Sequence, residues 1–360
     1  MTRQRLRDLG YATGRLPPGP HNAITDVAGV RVGYATVIAD QPRMARTGVT
    51  VIVPNDGLIW DRCLFAGAHV LNGFGEMTGL AWLNEAGLLN APIALTNTHD
   101  VGTVRDALVT AANDRGHRHN HMLPIAAETC DEGFSDATAH HVTARHLFAA
   151  IDSAATGPIA EGNVGGGTGM VCHDFKGGTG TASRVGRAAG HDFTVGALVQ
   201  ANYGSRADLR IDGVPIGREI GLDRVPMPDW QGAKGAGSII VVLATDLPLL
   251  PLQCRRLAQR AGLGLARVGG VGHNGSGDIF IAFSTGNVLP LGSPTVLTDL
   301  RMVPNEEIDS LFEAAIEVVE EAILNALAMA ETMTGLQGRT VYALPYDLLA
   351  EAMGRYRRRD

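Results

Sequence analysis

The sequence has 360 residues, with 30 basic and 37 acidic side chains and a formal net charge of −7. Hydrophobic residues make up 45% and charged residues 19%, which is typical of a globular protein and excludes disorder. The negative charge argues against nucleic-acid binding, and no apolar run reaches the roughly 18 residues of a membrane span. The polar N-terminus lacks the apolar stretch of a secretory signal, so we expect a cytoplasmic protein.

The predicted elements of the first half mix strands with helices. Four segments have the apolar pattern of strands: 27–32, 48–54, 92–98 and 124–129. Three segments have the pattern of helices: the part of 66–89 after a glycine-rich turn, 101–113 and 137–153. The glycine-dense segment 161–184 is expected to form hairpin-like strands and turns, and 193–204 a buried strand.

The second half begins with a long polar segment, 205–237, which we expect to be an exposed loop. The next residues, 238–245, are almost all apolar and mostly β-branched, as in a central strand with both faces covered. A helix at 249–262, a strand at 278–285 and a long helix at 305–334 complete the pattern. Strands and helices without a regular βαβ alternation predict an α+β layered fold, with helices covering sheets.

Cysteine and histidine are two residue types in this sequence that could bind a metal ion. The four cysteines have no CxxC or zinc-like spacing, and we expect free thiols. His117, His119 and His121 alternate and could be ligands on one strand face, but no HExxH pattern accompanies them. We therefore expect a solvated loop here, no metal site and no cofactor.

The junction of Gly237 and Ser238 is the sharpest local feature, because a glycine-rich loop delivers a serine to the first position of a buried strand. This arrangement suits attack of the serine hydroxyl on its own preceding peptide bond. The cleaved chain would begin at Ser238, whose free α-amino group, with a pKa of about 7.7–8.0, could act as the base. On spacing alone, an ordinary loop end remains the alternative.

Eight segments, in order over nearly the whole chain, carry a resemblance to a known family: NAITDVAGVRVG (22–33), GFGEMTGL (73–80), PIALTNTHDVGTVRDA (92–107), PIAAET (124–129), EGNVGGGTGM (161–170), GALVQANYG (196–204), GAGSIIVVLATDLPLLPLQ (235–253) and GSGDIFIAFSTGN (275–287). Together they resemble the self-processing L-aminopeptidase/D-amidase-esterase family, which includes the β-peptidyl aminopeptidases. The resemblance implies a four-layer αββα sandwich, similar to N-terminal-nucleophile hydrolases but differently connected. It also implies one domain over 1–360, cleaved into 1–237 and 238–360, with both pieces staying together.

The resemblance implies a role for each matching site residue. Ser238 matches the nucleophile and new N-terminus, and Asn202 the side-chain donor to the oxyanion. Ser276 and Asp278 match a pair that hydrogen-bonds toward the nucleophile, where the family often has a longer carboxylate. Glu128 matches the acid that receives the substrate's ammonium group. Cleavage would release N-terminal amino acids from small peptides, amides or esters through an acyl-enzyme on Ser238.

Cys130 departs from the family pattern, since some members have a tyrosine two positions after the glutamate. A thiol donates less well than a phenol, so we expect Cys130 to be a small buried side chain. The resemblance also implies a homo-oligomer, a tetramer of processed heterodimers. Two alternatives stay open: an acyltransferase similar to the ornithine acetyltransferases, which process before a threonine, and an inert, unprocessed scaffold.

Overall fold

The computed structural model describes residues 2–56, 59–117, 122–229, 237–290 and 297–357. The strands are β1 (Arg31–Ala39), β2 (Ala45–Val53), β3 (Arg62–Gly73), β4 (Leu88–Leu89), β5 (Ile93–Asn97), β6 (Ile125–Thr129), β7 (Val171–Cys172), β8 (Phe175–Lys176), β9 (Gly178–Ala188), β10 (His191–Asn202), β11 (Gly237–Thr245), β12 (Ser276–Pro290), β13 (Met333–Thr334) and β14 (Thr340–Val341). The α-helices are α1 (Leu80–Ala86), α2 (Val101–Asp114), α3 (Ala144–Asp152), α4 (Ile216–Glu219), α5 (Pro251–Arg267), α6 (Asp309–Met329) and α7 (Tyr346–Arg357).

Two sheets form the centre of the molecule. The small sheet has the strand order β1-β2-β5-β6, and the large sheet has the order β4-β3-β12-β11-β10-β9. Most neighbouring strands are antiparallel, but β5 pairs parallel with β6, and β11 pairs parallel with β12. The β7–β8 hairpin and the β13–β14 hairpin are separate two-stranded units.

The side chains of β11 show how the layers stack, because successive residues of a strand point to opposite faces. Ile240 and Val242 belong to the apolar core that also includes Ile52 of the small sheet. Val241 and Leu243 belong to a second core, formed with helices α5 and α6. A third core joins the other face of the small sheet to α2 and α3. The layers are therefore helix, sheet, sheet and helix, and the predicted αββα sandwich is confirmed.

Most predicted elements have a counterpart, and β2, β5, α2, β6, β10, β11, α5 and β12 lie at the expected places. The prediction for 66–89 was largely wrong, since β3 runs to Gly73 and the helix begins only at Leu80. Residues 63–68 are all buried, so their pattern lacked the alternation that marks a strand with one solvent face. The strand expected at 27–32 begins at Arg31 instead.

Three further expectations need correction. The segment 205–237 is not simply an exposed loop, because it contains α4 and buries Ile211, Ile216 and Ile220 in the second core, the one formed with α5 and α6. Residues 230–236 of this segment lie outside the described part of the chain. The last long helix ends at Met329, earlier than expected, and α7 was not predicted. His117 is buried rather than solvated, while His119 and His121 lie outside the described residues.

Cys63, Cys172 and Cys254 are buried free thiols, as expected, and Cys130 is also free. A helix long and apolar enough to cross a membrane does not occur in the described ranges.

Candidate active site

Ser238 and Asn202 face each other where β11 begins and β10 ends. They are direct register partners in the antiparallel pair, and their residues are only 6% and 8% exposed. Ser238 is two residues before Ile240, so strand alternation places its side chain on the face toward the small sheet. The predicted nucleophile and the predicted oxyanion donor are thus brought together by backbone pairing of the large sheet.

Gly277, on the other side of Ser238, completes this strand-end arrangement. Its backbone N–H donates to Ser238 Oγ at 3.2 Å. A Cβ atom at Gly277 would lie 2.6 Å from the Phe74 carbonyl oxygen, and one at Gly237 would lie 2.2 Å from the Asn202 carbonyl oxygen. Real Cβ atoms do not approach backbone so closely. Glycine at 237 therefore lets β11 pack against the end of β10, and glycine at 277 lets the start of β12 pack against the residues that follow β3.

The side-chain amide of Asn202 has a fixed orientation. Its Oδ1 accepts from the Val171 N–H at 2.8 Å, and its Nδ2 donates to the Cys130 carbonyl at 3.0 Å. An amide nitrogen carries two hydrogens, so the second N–H remains for another acceptor. The arrangement can therefore present a rigid donor beside Ser238.

Ser276 and Asp278 lie on either side of Gly277, opposite Gly237 and Ile239 of β11. Among the described residues, the Ser276 hydroxyl hydrogen-bonds to Asp278 Oδ1, at 2.6 Å, rather than to Ser238. Burial raises the pKa of Asp278, and the Ser276 hydrogen bond opposes that rise. The predicted pair is thus adjacent to the serine, and its connection to Ser238 runs through the Gly277 backbone.

Glu128 belongs to the small sheet, near the end of β6, and is 3% exposed. Its Oε1 accepts from the Glu76 N–H at 2.8 Å, and its Oε2 accepts from the Thr98 hydroxyl. A Cβ atom at Gly75 would lie 3.3 Å from Glu128 Oε1 and 3.1 Å from Gly277 Cα. The carboxylate is therefore close to the glycine that binds Ser238.

The electrostatics of Glu128 reflect two opposing influences. Burial raises the pKa of its carboxyl group, while the hydrogen bonds from Thr98 and from the Glu76 backbone lower it. A carboxylate accepts about four hydrogen bonds, so the two present leave room for a substrate ammonium group. An incoming positive charge would favour the ionised form.

Cys130 is exposed, so the expectation of a buried side chain was wrong. Although part of the residue is exposed, the surrounding protein partly desolvates the sulfur and raises the pKa of the thiol to about 11, which keeps it neutral near pH 7. The part of Cys130 that takes part in the site is its carbonyl group, which accepts the Asn202 hydrogen bond. The sequence did not predict this backbone contact, nor the contacts made by the N–H groups of Gly277 and Val171. Of the three, only Gly277 could have been suspected from the sequence, because it lies between Ser276 and Asp278.

The comparisons with known proteins identify the family of the chain. Residues 22–341 match peptidase family S58. "Beta-peptidyl aminopeptidase BapA" of Sphingosinicella microcystinivorans is 45% identical, covering 98% of this chain and 93% of the relative. Two solved structures, a Burkholderia sp. beta-aminopeptidase and the L-aminopeptidase D-Ala-esterase/amidase of Ochrobactrum anthropi, are 51% and 44% identical. Each has a TM-score of 0.91, with coverage of 98% of this chain and 99% of the other.

An αββα fold with a buried serine, a paired amide donor and a buried carboxylate at one end of its sheets has the layout of a hydrolase. The solved Ochrobactrum anthropi enzyme is described as a prototype for the serine aminopeptidases and a variant of the Ntn hydrolase fold. The chain belongs to peptidase family S58. The family predicted from the sequence and its aminopeptidase/amidase class are thereby confirmed.

Proposed function

We propose that this aminopeptidase uses Ser238 as its nucleophile and produces that nucleophile by cleaving itself. The single domain 1–360 would become a larger piece, 1–237, and a smaller piece, 238–360. The observation that carries the proposal is the position of Ser238 between the Asn202 amide and the Gly277 N–H at the start of β11.

In self-cleavage, Ser238 Oγ attacks the carbonyl carbon of Gly237. The C–N bond to Ser238 breaks, the carbonyl becomes an ester on Oγ, and the former amide nitrogen takes up the hydroxyl proton. Water then hydrolyses the ester, leaving a carboxylate on Gly237 and a free amino group on Ser238. The Gly237 residue suits this attack, because it has no side chain to shield its carbonyl.

In turnover, the freed α-amino group of Ser238 takes the proton from Oγ as the hydroxyl attacks the substrate carbonyl. The free N–H of Asn202 stabilises the oxyanion, and the proton passes to the leaving amine. The acyl group then rests on Ser238 until water, activated by the same amino group, releases it. Ser276 and Asp278 hold the Gly277 segment and thus the N–H that contacts Oγ.

Glu128 binds the ammonium group of the substrate in this proposal. The hydrogen bonds from Glu76 and Thr98 fix both carboxylate oxygens, which makes the position of the negative charge constant. A desolvated ammonium group needs such an anion, so substrates with a free amino terminus are selected.

The substrate class is proposed from the relatives. A β-peptidyl aminopeptidase and a β-aminopeptidase are among the similar proteins, so we propose amides and short peptides of β-amino acids as the preferred substrates. The Ochrobactrum anthropi relative is named for L-aminopeptidase and D-Ala-esterase/amidase activity. A p-nitroanilide panel of β-amino acids, L-amino acids and D-Ala tests this; a higher kcat/KM for an L-amino acid or for D-Ala contradicts it.

We further propose a cytoplasmic homo-oligomer, a tetramer of processed heterodimers. Support for the assembly comes from exposed apolar side chains on the surface, such as Phe74, Leu252 and Val271. Light scattering on the processed protein measures the assembly, and a mass of one heterodimer rejects it. Cell fractionation tests the location, and recovery outside the cytoplasm rejects it.

Denaturing electrophoresis of wild-type protein, Ser238→Ala and Ser153→Ala tests the self-cleavage. Pieces of 237 and 360 − 237 = 123 residues correspond to roughly 25 and 13 kDa in proportion to chain length. The smaller band should begin Ser-Ile-Ile-Val, and Ser238→Ala should give one uncut, inactive chain. Ser153 is an exposed serine at the end of α3, so its variant should process normally. A fully active wild-type chain that stays whole contradicts the proposal.

A further inference from the structure

Lys176, in the β7–β8 hairpin, is completely buried, and burial lowers the pKa of its side-chain amine to about 7. Its Nζ donates to the Met170 carbonyl at 2.8 Å and to the Gly177 carbonyl at 2.9 Å. Across the described residues, no carboxylate forms an ion pair with it, and its nitrogen lies 5.6 Å from the centre of the Phe134 ring. Burying an amine is costly in either protonation state unless it is hydrogen-bonded, so the two backbone carbonyls that Lys176 binds point to a specific role.

The hairpin that Lys176 stabilises also forms a hydrogen bond with Asn202. The Met170 carbonyl also accepts from the Gly177 N–H at 2.9 Å, so the lysine ties together both ends of the hairpin. The Met170 carbonyl and the Val171 N–H belong to one planar peptide group and point in opposite directions. That N–H is the donor to Asn202 Oδ1. A chain of contacts therefore runs from Lys176 Nζ through one peptide plane to the amide of Asn202.

The second partner of the Asn202 amide also belongs to a segment beside Lys176. Nδ2 donates to the carbonyl of Cys130, and the loop after Cys130 carries the Phe134 ring that faces the lysine nitrogen. An asparagine amide can rotate by half a turn and exchange its oxygen and nitrogen. In the exchanged orientation, Oδ1 would meet the Cys130 carbonyl and Nδ2 would meet the Val171 N–H, so both contacts would be repulsive.

We propose that Lys176 is a positioning residue for the oxyanion donor: it orients the Met170–Val171 peptide, which holds Asn202 Oδ1 and so keeps the amide nitrogen in its place opposite Ser238. The inference rests on the proposed role of Asn202. Hydrogen bonds in such a chain polarise one another, so the hydrogen bond from Lys176 to the Met170 carbonyl also strengthens the hydrogen bond from the Val171 N–H to Asn202 Oδ1. Lys176 does not touch the substrate and acts only through Asn202.

A double-mutant cycle tests the inference. Lys176→Met keeps a long apolar stem and removes the N–H donors; we expect kcat to fall at least tenfold, with little change in KM and with slower self-cleavage. The fall in kcat should not exceed the roughly 10²–10³-fold loss that follows complete removal of an oxyanion donor. In the Asn202→Ala background, Lys176→Met should change kcat by less than twofold, because the amide that it positions is absent. All rates refer to the processed fraction.

Val195→Ala is the control for lost stability. Val195 is fully buried and lies on β10, the strand of Asn202, seven residues and about 23 Å away from it. Its variant should therefore lower the unfolding temperature and leave kcat unchanged. Lys176→Gln keeps two N–H donors and should retain more turnover than Lys176→Met. If the methionine variant does not fold, the cycle is run with Lys176→Gln.

The outcomes separate this inference from the proposed function. Losses in kcat that multiply in the double variant overturn the positioning role, as does a Lys176→Met enzyme with wild-type kcat. An unchanged kcat in Asn202→Ala alone rejects the proposed oxyanion donor, and the inference about Lys176 fails with it. A large loss in each single variant without further loss in the double variant supports both.

Discussion

Replacing Glu128 by glutamine removes one negative charge and little else. The amide oxygen can accept from the Glu76 N–H as Oε1 does, and the amide nitrogen can donate to the Thr98 hydroxyl oxygen, which turns its own hydrogen away. Since burial disfavours the ionised carboxylate and raises its pKa, the neutral variant loses no electrostatic stability in the empty enzyme. We expect the unfolding temperature of Glu128→Gln to equal or exceed that of the wild type.

The effect on catalysis follows from the burial of the carboxylate. Glu128 is 3% exposed, so the substrate ammonium group must give up much of its water to reach it. Removing one partner of a buried ion pair costs about 3–5 kcal/mol. We use the lower value, because a site that admits substrate is less completely shielded from water than a protein interior. About 3 kcal/mol corresponds to roughly a hundredfold loss in kcat/KM. Self-cleavage involves no free substrate amine and should continue at the wild-type rate.

The assay compares pairs of p-nitroanilides that differ only in having or lacking the amino group. The wild type should prefer the amine strongly, and Glu128→Gln should reduce that preference about a hundredfold. Glu132→Gln, which removes an exposed carboxylate four residues away, is the matched control and should keep the preference. An unchanged preference in Glu128→Gln refutes the ammonium role.

The pH dependence gives a further check on the same residue. Protonation of Glu128 removes the charge that binds the amine, and burial raises the pKa of this group above its ordinary value of 4.5. Both proteins should lose kcat/KM with decreasing pH as the proposed Ser238 amino base, with an ordinary pKa of about 7.7–8.0, becomes protonated. On free-amine substrates the wild type should show an additional fall, from a point above 4.5, that the variant lacks. An identical acid limb in both proteins contradicts the assignment.

Three further predictions concern Asn202, Gly237 and Asp131. Asn202→Gly should accumulate precursor and lower turnover by about 10²–10³-fold, because glycine keeps the backbone but lacks the amide donor; near wild-type rates would leave Asn202 a turn residue. Gly237→Ala should block self-cleavage, since its Cβ would lie 2.2 Å from the Asn202 carbonyl oxygen; normal processing would contradict that geometry. Burial raises the pKa of Asp131 to about 7, so this carboxyl group binds more protons in the folded state than in the unfolded state. Its contribution to the free energy of unfolding should therefore fall as the pH rises toward 7. Asp131→Asn should therefore gain stability relative to the wild type between pH 5 and pH 8 in thermal melts, and a constant difference would reject the shift.

The sequence by itself determined the elements whose local pattern is strong. The apolar run 238–245 indicated a central strand, and the Gly237–Ser238 junction located the candidate nucleophile at its start. The motifs around Asn202 and Glu128 identified the family because they stand in order along the chain. These properties depend on residue type and on neighbours in sequence, which a single chain displays directly.

Only the tertiary structure decided which of these segments meet. β3 was mistaken for part of a helical segment because burial on both faces removes the alternation that marks a strand. Glu128 approaches the serine through Gly75 and Gly277, whose missing side chains let distant strands come close. The orientation of the Asn202 amide depends on the Val171 N–H and the Cys130 carbonyl. Backbone groups are the same in every non-proline residue, so a sequence cannot show which of them will face a side chain until the chain has folded.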